Sequence, residues 1–409
     1  MQIQRIVSIL LFVFILMIYS VSPAWAGPDV VGKAAILIDS KSGKILYAKN
    51  AHEPLPPAST TKILTGILTL EKAELSDMVT AGKNATLVEP SAIGLKEGER
   101  ISVENHVYAI LLKSANDSAI ALAEHISGSV SEFAELMNSS ARAWGATNSN
   151  FTNPNGLPDP NHRSTAHDLA YIAKHAMENP KFREFVSTKV KVIPRDDDDG
   201  IKWLQNHNKM LWRYEGATGI KTGYTRAAQQ CLVASAEKNG QELIAVVLGS
   251  QGANVWSDAE SLLDYGFENY ETFTQKDANI AVKSVEVIKG TEKVSLVTQE
   301  EFFYTLPKGE PKTLTEKVVV NTDITAPINK GQVLGKLAFL LNGREIGSVN
   351  LVAGNDVTVR KLPVIAEDAK SFVPLIIGGV LLAVFIIWNI RMRRRRKRRR
   401  RVWQNRVIR

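Results

Sequence analysis

Apolar and polar positions alternate with different rhythms along the chain, and each rhythm predicts a different element. Residues 34–48, AAILIDSKSGKILYA, are two short apolar runs around Ser-Lys-Ser-Gly, the pattern of an N-terminal β-hairpin. Apolar residues then recur every three to four positions over about 60–74, 103–112, 117–127, 131–144 and 165–178, which predicts helices with one buried face. Glycine-, asparagine- and proline-rich connectors separate them, notably NFTNPNGLPDPNHRS. Strand patterns return in QCLVASAEK and ELIAVVLGS, joined by Asn239-Gly240, a strong hairpin signal. A further helix is expected near 255–270. Strands at both ends and helices between them imply an α+β domain, over 27–273, in which an antiparallel sheet packs beside a helical lobe.

Beyond residue 273 the helical period disappears. VKSVEVIKG, KVVVNTDI, VLGKLAFLLNG and EIGSVNLVAG are short β-prone runs between turn residues, so 275–362 reads as a small all-β domain. Residues 371–390, SFVPLIIGGVLLAVFIIWNI, are uncharged and long enough to cross a bilayer. At the other end, Arg5, the apolar run 6–19 and Ala24-Trp25-Ala26 form a signal-peptide pattern over 1–26, which places the mature start at Gly27.

Charge sharpens this picture. The net charge is +8, yet residues 391–409 alone hold twelve Lys/Arg and no Asp/Glu, which leaves −4 for residues 1–390. An arginine-rich segment beside an apolar span resists translocation and favours anionic lipid. The expected location is therefore the cell membrane, crossed once, with the catalytic domain extracytoplasmic and the tail cytoplasmic. Nothing in the acidic remainder suggests a nucleic-acid partner. The acidic run 196–199 lacks the alternating oxygen ligands and turn glycine of a calcium loop, and reads as a solvated loop. With Cys231 as the one cysteine no internal disulfide forms, and its apolar strand context predicts a buried thiol.

Three short motifs carry the candidate chemistry. In PLPPASTTKILTGILTL, Ser59 and Lys62 stand one helical turn apart at the mouth of an apolar helix. A neutral lysine amine at that spacing can take the serine proton, provided burial or a nearby cation lowers its pKa. The backbone N–H of Ser59, at a helix start, is available to an oxyanion. In LLKSANDSA, Ser114 and Asn116 bracket one residue where the helical pattern breaks, a placement suited to proton relay and to holding a substrate amide. In TGIKTGYT, Lys221 and Thr222 offer a cation and a hydroxyl to a carboxylate, and Gly223 leaves the strand backbone open to close approach. Each motif alone is commonplace, since a serine before a helix is ordinarily a cap.

Their order and spacing are not commonplace. Together they resemble the signature of penicillin-binding proteins and serine β-lactamases. ASTTKILTG, LLKSANDSAIALAEHISGS, FAELMNSSARAWGATNSNFTNPNGL, HRSTAHDLAYIAKHAM and GIKTGYT are similar to the blocks of the low-molecular-mass penicillin-binding proteins, which are serine-type D-alanyl-D-alanine carboxypeptidases. The resemblance spans residues 30 to about 360. It implies a penicillin-binding-protein/β-lactamase-like catalytic domain, then an all-β domain and an anchor. It further implies Ser59 as nucleophile, Lys62 as general base, and Ser114 and Asn116 for relay and positioning. Lys221 and Thr222 would bind the terminal carboxylate. The N–H groups of Ser59 and Tyr224 would form the oxyanion hole. The implied substrate is a peptidoglycan stem peptide ending in D-Ala-D-Ala, β-lactams bind covalently, and no cofactor is needed. Tyr224 stands where some relatives carry histidine, and an apolar span replaces the amphipathic surface helix of others.

Three alternatives differ in what they need. A β-lactamase of the commonest class relies on a glutamate and an asparagine four residues apart in a loop; Glu135 and Asn138 miss that spacing and fall in a helical pattern. A zinc peptidase would favour His-Glu-x-x-His, which the histidines never form. A wall-binding scaffold without turnover would not require the full catalytic set.

Overall fold

The computed structural model describes residues 27–195, 200–310, 314–360 and 368–404. The expected signal peptide and the acidic run 196–199 lie outside these residues. The chain forms two compact units, one of residues up to Asp277 together with Glu301–Leu314, the other of Ala278–Glu300 and Thr315 onward.

The first unit is built on an antiparallel sheet of β1 (Ala34–Asp39), β2 (Ile45–Lys49), β3 (Ala217–Thr225), β4 (Gln229–Lys238) and β5 (Gln241–Ser250). Its order is β2-β1-β5-β4-β3, so the N-terminal hairpin meets the C-terminal strands through the β1–β5 pairing, as the sequence pattern implies. Asn239 and Gly240 both take positive φ, 53° and 79°, the conformation that a two-residue hairpin turn requires. All six residues of β1 are buried because both faces of the sheet are covered. Ala34, Ile36 and Ile38 face the helical core, while Ala35 and Leu37 join the core formed with α7 (Asn254–Asn269).

The helical lobe contains α1 (Lys62–Lys72), α2 (Val103–Tyr108), α3 (Asn116–Ser127), α4 (Val130–Ala143) and α5 (Ala166–Glu178), at the places the periodicity indicates. Two details depart from a plain helical reading. A single 3-10 turn, Ala58–Thr61, precedes α1, and α2 runs on into a π-helical turn, Ala109–Lys113, that ends at Ser114. The periodicity also missed α6 (Pro180–Ser187), capped by the Asn179 side chain with proline in the first turn.

The tail of the first unit is a ribbon of β6 (Tyr270–Lys276) and β9 (Phe302–Pro307). Thus a strand within 275–362 pairs with the strand that leaves the catalytic unit, which a linear boundary could not anticipate. The second unit has an antiparallel sheet in the order β7-β8-β12-β11-β10, with β7 (Ala281–Val285), β8 (Val294–Thr298), β10 (Thr315–Val320), β11 (Val333–Leu341) and β12 (Arg344–Ala353). Helix α8 runs from Asp368 to Gln404 and includes an apolar stretch fit to cross a membrane. Its side chains from Phe372 to Ile390 are almost all exposed.

Candidate active site

The 3-10 turn places Ser59 beside Lys62. With three residues per turn, i and i+3 eclipse, a closer alignment than an α-helix would provide. Ser59 Oγ lies 3.1 Å from Lys62 Nζ. The preceding residue, Ala58, holds a left-handed φ of +50°, which costs about 1–3 kcal/mol and marks a site where the surroundings dictate the backbone. Gly156 shows how: a Cβ there would stand 1.9 Å from the Ala58 carbonyl oxygen. Ser59 makes no capping bond to α1, whose N-cap is Thr61; its hydroxyl instead lies in the site, donating at 3.5 Å to the Asn155 carbonyl.

Lys62 is wholly buried. Its amine meets the Asn116 Oδ1 at 2.7 Å and the Asn155 carbonyl at 2.6 Å, and both of these can only accept. A neutral amine has two hydrogens and one lone pair. Charged, the amine donates to all three oxygens; neutral, it gives its two hydrogens to the two acceptors and turns its lone pair to Ser59. Burial holds the Lys62 pKa well below the ordinary lysine range, with the Lys221 charge adding to the effect and Asp117 opposing it.

Asn155 is a residue that the motif reading passed over. Its carbonyl enters the site because the Asn-Pro-Asn-Gly-Leu loop folds on its own side chains. Gly156 N–H donates to Asn153 Oδ1 at 2.7 Å, Leu157 N–H donates to Asn155 Oδ1 at 3.1 Å, and Thr65 Oγ1 donates to the Pro154 carbonyl at 2.6 Å. The signal in the sequence is the density of turn-forming asparagines around a proline and a glycine, each able to bond its own backbone.

Ser114 takes a left-handed φ of 64° where the π-helical turn ends, which breaks the helix and brings Ser114 and Asn116 to one cleft. Its hydroxyl has no hydrogen-bond partner among the described residues. Asn116 is tied into the site at both ends of its amide. Its oxygen is taken by Lys62, and its Nδ2 donates to the Glu89 carbonyl at 2.8 Å, which orients the amine and leaves one amide hydrogen for a substrate. The next residue, Asp117, is also buried. It accepts from the N–H groups of Ile93, Gly94 and Leu95 at 3.0, 2.9 and 3.1 Å and so ties down the segment that follows Pro90 and Ser91, two residues of the cleft.

On β3, alternation sends Lys221 and Gly223 to one side and Thr222 and Tyr224 to the other. Lys221 is buried and donates to the Thr222 carbonyl at 2.9 Å, and desolvation lowers its pKa to about 7. Gly223 serves a closer contact than a substrate's. A Cβ there would sit 2.9 Å from the Ser59 nitrogen and 3.1 Å from the Ala58 Cβ, so the missing side chain lets the Ser59 turn dock on the strand. The Tyr224 side chain is exposed, and the residue borders the cleft.

Ser59, Ser114, Asn116, Thr222, Gly223 and Tyr224 line a single cleft of about 310 Å³, with Lys62 and Lys221 buried beside it. His207 lines it too, its pKa lowered to about 4 by burial and by the charges of Lys221 and Lys113; no motif drew attention to it. No cluster of potential metal ligands occurs among the described residues. Asn138 exchanges two 2.8 Å bonds with the Phe151 backbone, so its amide is committed to structure. Cys231 is buried opposite Gly223, its thiol pushed up to about 11 by desolvation.

Comparison with known proteins agrees with this geometry. Residues 21–252 match the D-alanyl-D-alanine carboxypeptidase family model, and residues 270–359 match the penicillin-binding protein 5 C-terminal domain. The chain is similar to the D-alanyl-D-alanine carboxypeptidase DacF of Bacillus subtilis, with 37% identity covering 79% of this chain and 85% of that protein. It is also similar to DacC of Escherichia coli, with 35% identity covering 86% and 90%. Among solved structures, penicillin-binding protein 5 from Haemophilus influenzae superposes with a TM-score of 0.69 at 34% identity, covering 81% of this chain and 99% of that one. A serine and a buried lysine on one turn, on a sheet edge of this topology, thus coincide with likeness over most of the chain, and the protein belongs to the serine-type D-alanyl-D-alanine carboxypeptidases, the low-molecular-mass penicillin-binding proteins.

Proposed function

We propose that Ser59 is the nucleophile and Lys62 the general base with which this carboxypeptidase removes the terminal D-alanine of peptidoglycan stem peptides. The observation that carries the reading is the buried Lys62 amine, 3.1 Å from Ser59 Oγ and flanked by two pure acceptors, so that once neutral it has only a lone pair left for the Ser59 proton. In the first half-reaction the Ser59 proton passes to Lys62 as Oγ bonds to the scissile carbonyl carbon. The oxyanion is received by the N–H groups of Ser59 and Tyr224. Collapse breaks the carbon–nitrogen bond, and the proton returns through the Ser114 hydroxyl to the departing D-alanine amine. Water then adds to the acyl-enzyme by the same proton path and frees Ser59. A β-lactam follows the first half alone and stays attached through the same ester.

Lys221 and Thr222 receive the substrate's terminal carboxylate. Since β3 is the edge strand of its sheet, the peptide lies along that edge with its carboxylate at the start of the Lys-Thr-Gly run. The apolar helix and basic tail support attachment to the cytoplasmic membrane, with the catalytic unit outside and the tail within.

The test is release of free D-alanine from a synthetic peptide ending in Lys-D-Ala-D-Ala, followed by mass spectrometry. Release should vanish in Ser59→Ala and survive a metal chelator. Release that persists without the serine, or stops with the chelator, would overturn the assignment.

A further inference from the structure

A second pocket of about 230 Å³ adjoins the catalytic cleft and shares Gly156, Leu157 and Thr225 with it. Its walls are mostly apolar and rich in proline, but two half-exposed side chains of opposite charge, Asp159 and Arg163, also line it. Each has bonding capacity to spare. Asp159 accepts at Oδ1 from the Asn161 N–H at 2.7 Å, and Arg163 spends one long 3.4 Å bond on the His162 carbonyl. No ion pair joins the two among the described residues. The neighbouring His162 adds no charge. Its Nδ1 accepts the Thr152 N–H at 3.1 Å, which leaves the ring proton on Nε2 for Thr61 Oγ1 at 2.9 Å.

The direction of the substrate decides what reaches this pocket. A peptide with its carboxylate at Lys221 and Thr222 and its scissile carbonyl at Ser59 runs antiparallel to β3. Its earlier residues therefore pass Thr225 and approach Ala227, and both of these line the second pocket. At about 3.3 Å per extended residue, the residue before the D-alanyl-D-alanine pair is the first whose side chain arrives there.

We propose that this pocket is the subsite for the residue preceding D-alanyl-D-alanine, and that Asp159 and Arg163 select a side chain ending in both an ammonium and a carboxylate. The proposal rests on the Ser59 carboxypeptidase reading above. An apolar stem suits the proline walls, and the two charged groups of such a side chain complement Arg163 and Asp159 one for one.

The test uses the full chain in detergent and four peptides Xaa-D-Ala-D-Ala, with Xaa diaminopimelate, lysine, aminopimelate or acetyl-lysine. The diaminopimelyl peptide should show kcat/KM about tenfold above the acetyl-lysyl peptide, the scale of two partly exposed ion pairs. Arg163→Gln should erase its advantage over the lysyl peptide. Asp159→Asn should erase its advantage over the aminopimelyl peptide. Ratios are compared within each variant, and covalent penicillin binding reports that each variant is folded. Equal kcat/KM for all four peptides, or ratios unchanged in both variants, would overturn the subsite and leave the carboxypeptidase reading standing. If the wild-type protein turned over none of the peptides, that reading would fall, and the subsite with it.

Discussion

At the scale of single residues the proposed chemistry depends on two lysines held in opposite states. Lys62 acts as a base only when neutral, so acylation should fall as pH drops through its lowered pKa. Asn116→Asp would put a carboxylate where an amide oxygen now receives the Lys62 hydrogen, and would favour the charged amine. The acid limb of penicillin acylation should then move up by roughly 1–3 pH units, and an unmoved limb would mean that Lys62 is not the titrating base. Lys221 must instead be charged to hold a carboxylate. With its pKa near 7, kcat/KM, which reports the free enzyme, should decline as pH rises through about 7. The limb of kcat should lie higher, because a bound carboxylate keeps the ammonium protonated. A kcat/KM profile flat from pH 6 to 9 would remove Lys221 from carboxylate binding.

At the scale of elements, the site is an agreement between one 3-10 turn, one loop and one edge strand. Gly223→Ala would press a Cβ to within 2.9 Å of the Ser59 nitrogen. Penicillin acylation should fall by about a hundredfold or more, the scale of a displaced catalytic group, while the circular dichroism spectrum stays native. Asp117→Ala would strand the buried N–H groups of Ile93 and Leu95, at about 1–3 kcal/mol each, and release the more exposed Gly94 N–H to solvent. A loss of about 2 kcal/mol or more in urea unfolding is expected, and a change under about 1 kcal/mol would show that the 93–95 segment does not need this carboxylate. Much at this scale was legible from the sequence. The helices 60–74 to 165–178 follow from a 3.6-residue period, and the β4–β5 hairpin follows from Asn239-Gly240. The serine, lysine and asparagine of the motifs announce themselves by spacing. What was not legible depends on backbone atoms brought from afar. The Asn155 carbonyl, 93 residues from Lys62, acts as an acceptor that any residue type could supply, so no side-chain pattern marks it. Gly223 read as room for a substrate, because its closest contact, the Ser59 nitrogen, is made only when strand and turn dock.

At the scale of the whole molecule, the sequence patterns separated an α+β catalytic part, a β-rich part and an apolar span, and the fold follows that order. The β6–β9 ribbon is the exception, because pairing between strands distant in sequence leaves no local trace. Helix α8, at 37 residues and roughly 1.5 Å each, extends to about 55 Å, well beyond a hydrocarbon core of about 30 Å. Its surplus carries the basic residues from Arg391 onward. A chain ending at residue 362 should therefore partition to the soluble fraction, with the full chain pelleting with membranes until detergent is added. Equal pelleting of both would assign attachment to another part of the protein.

The claim on which all of this turns is that Ser59 forms the acyl-enzyme, and mapping the site of a penicillin adduct tests it most directly. The protein would be incubated with penicillin, digested, and its peptides sequenced by tandem mass spectrometry. The account predicts one adduct, on the peptide containing Ser59, and none in Ser59→Ala. An adduct on Ser114 or another residue, or one that persists in Ser59→Ala, would contradict it.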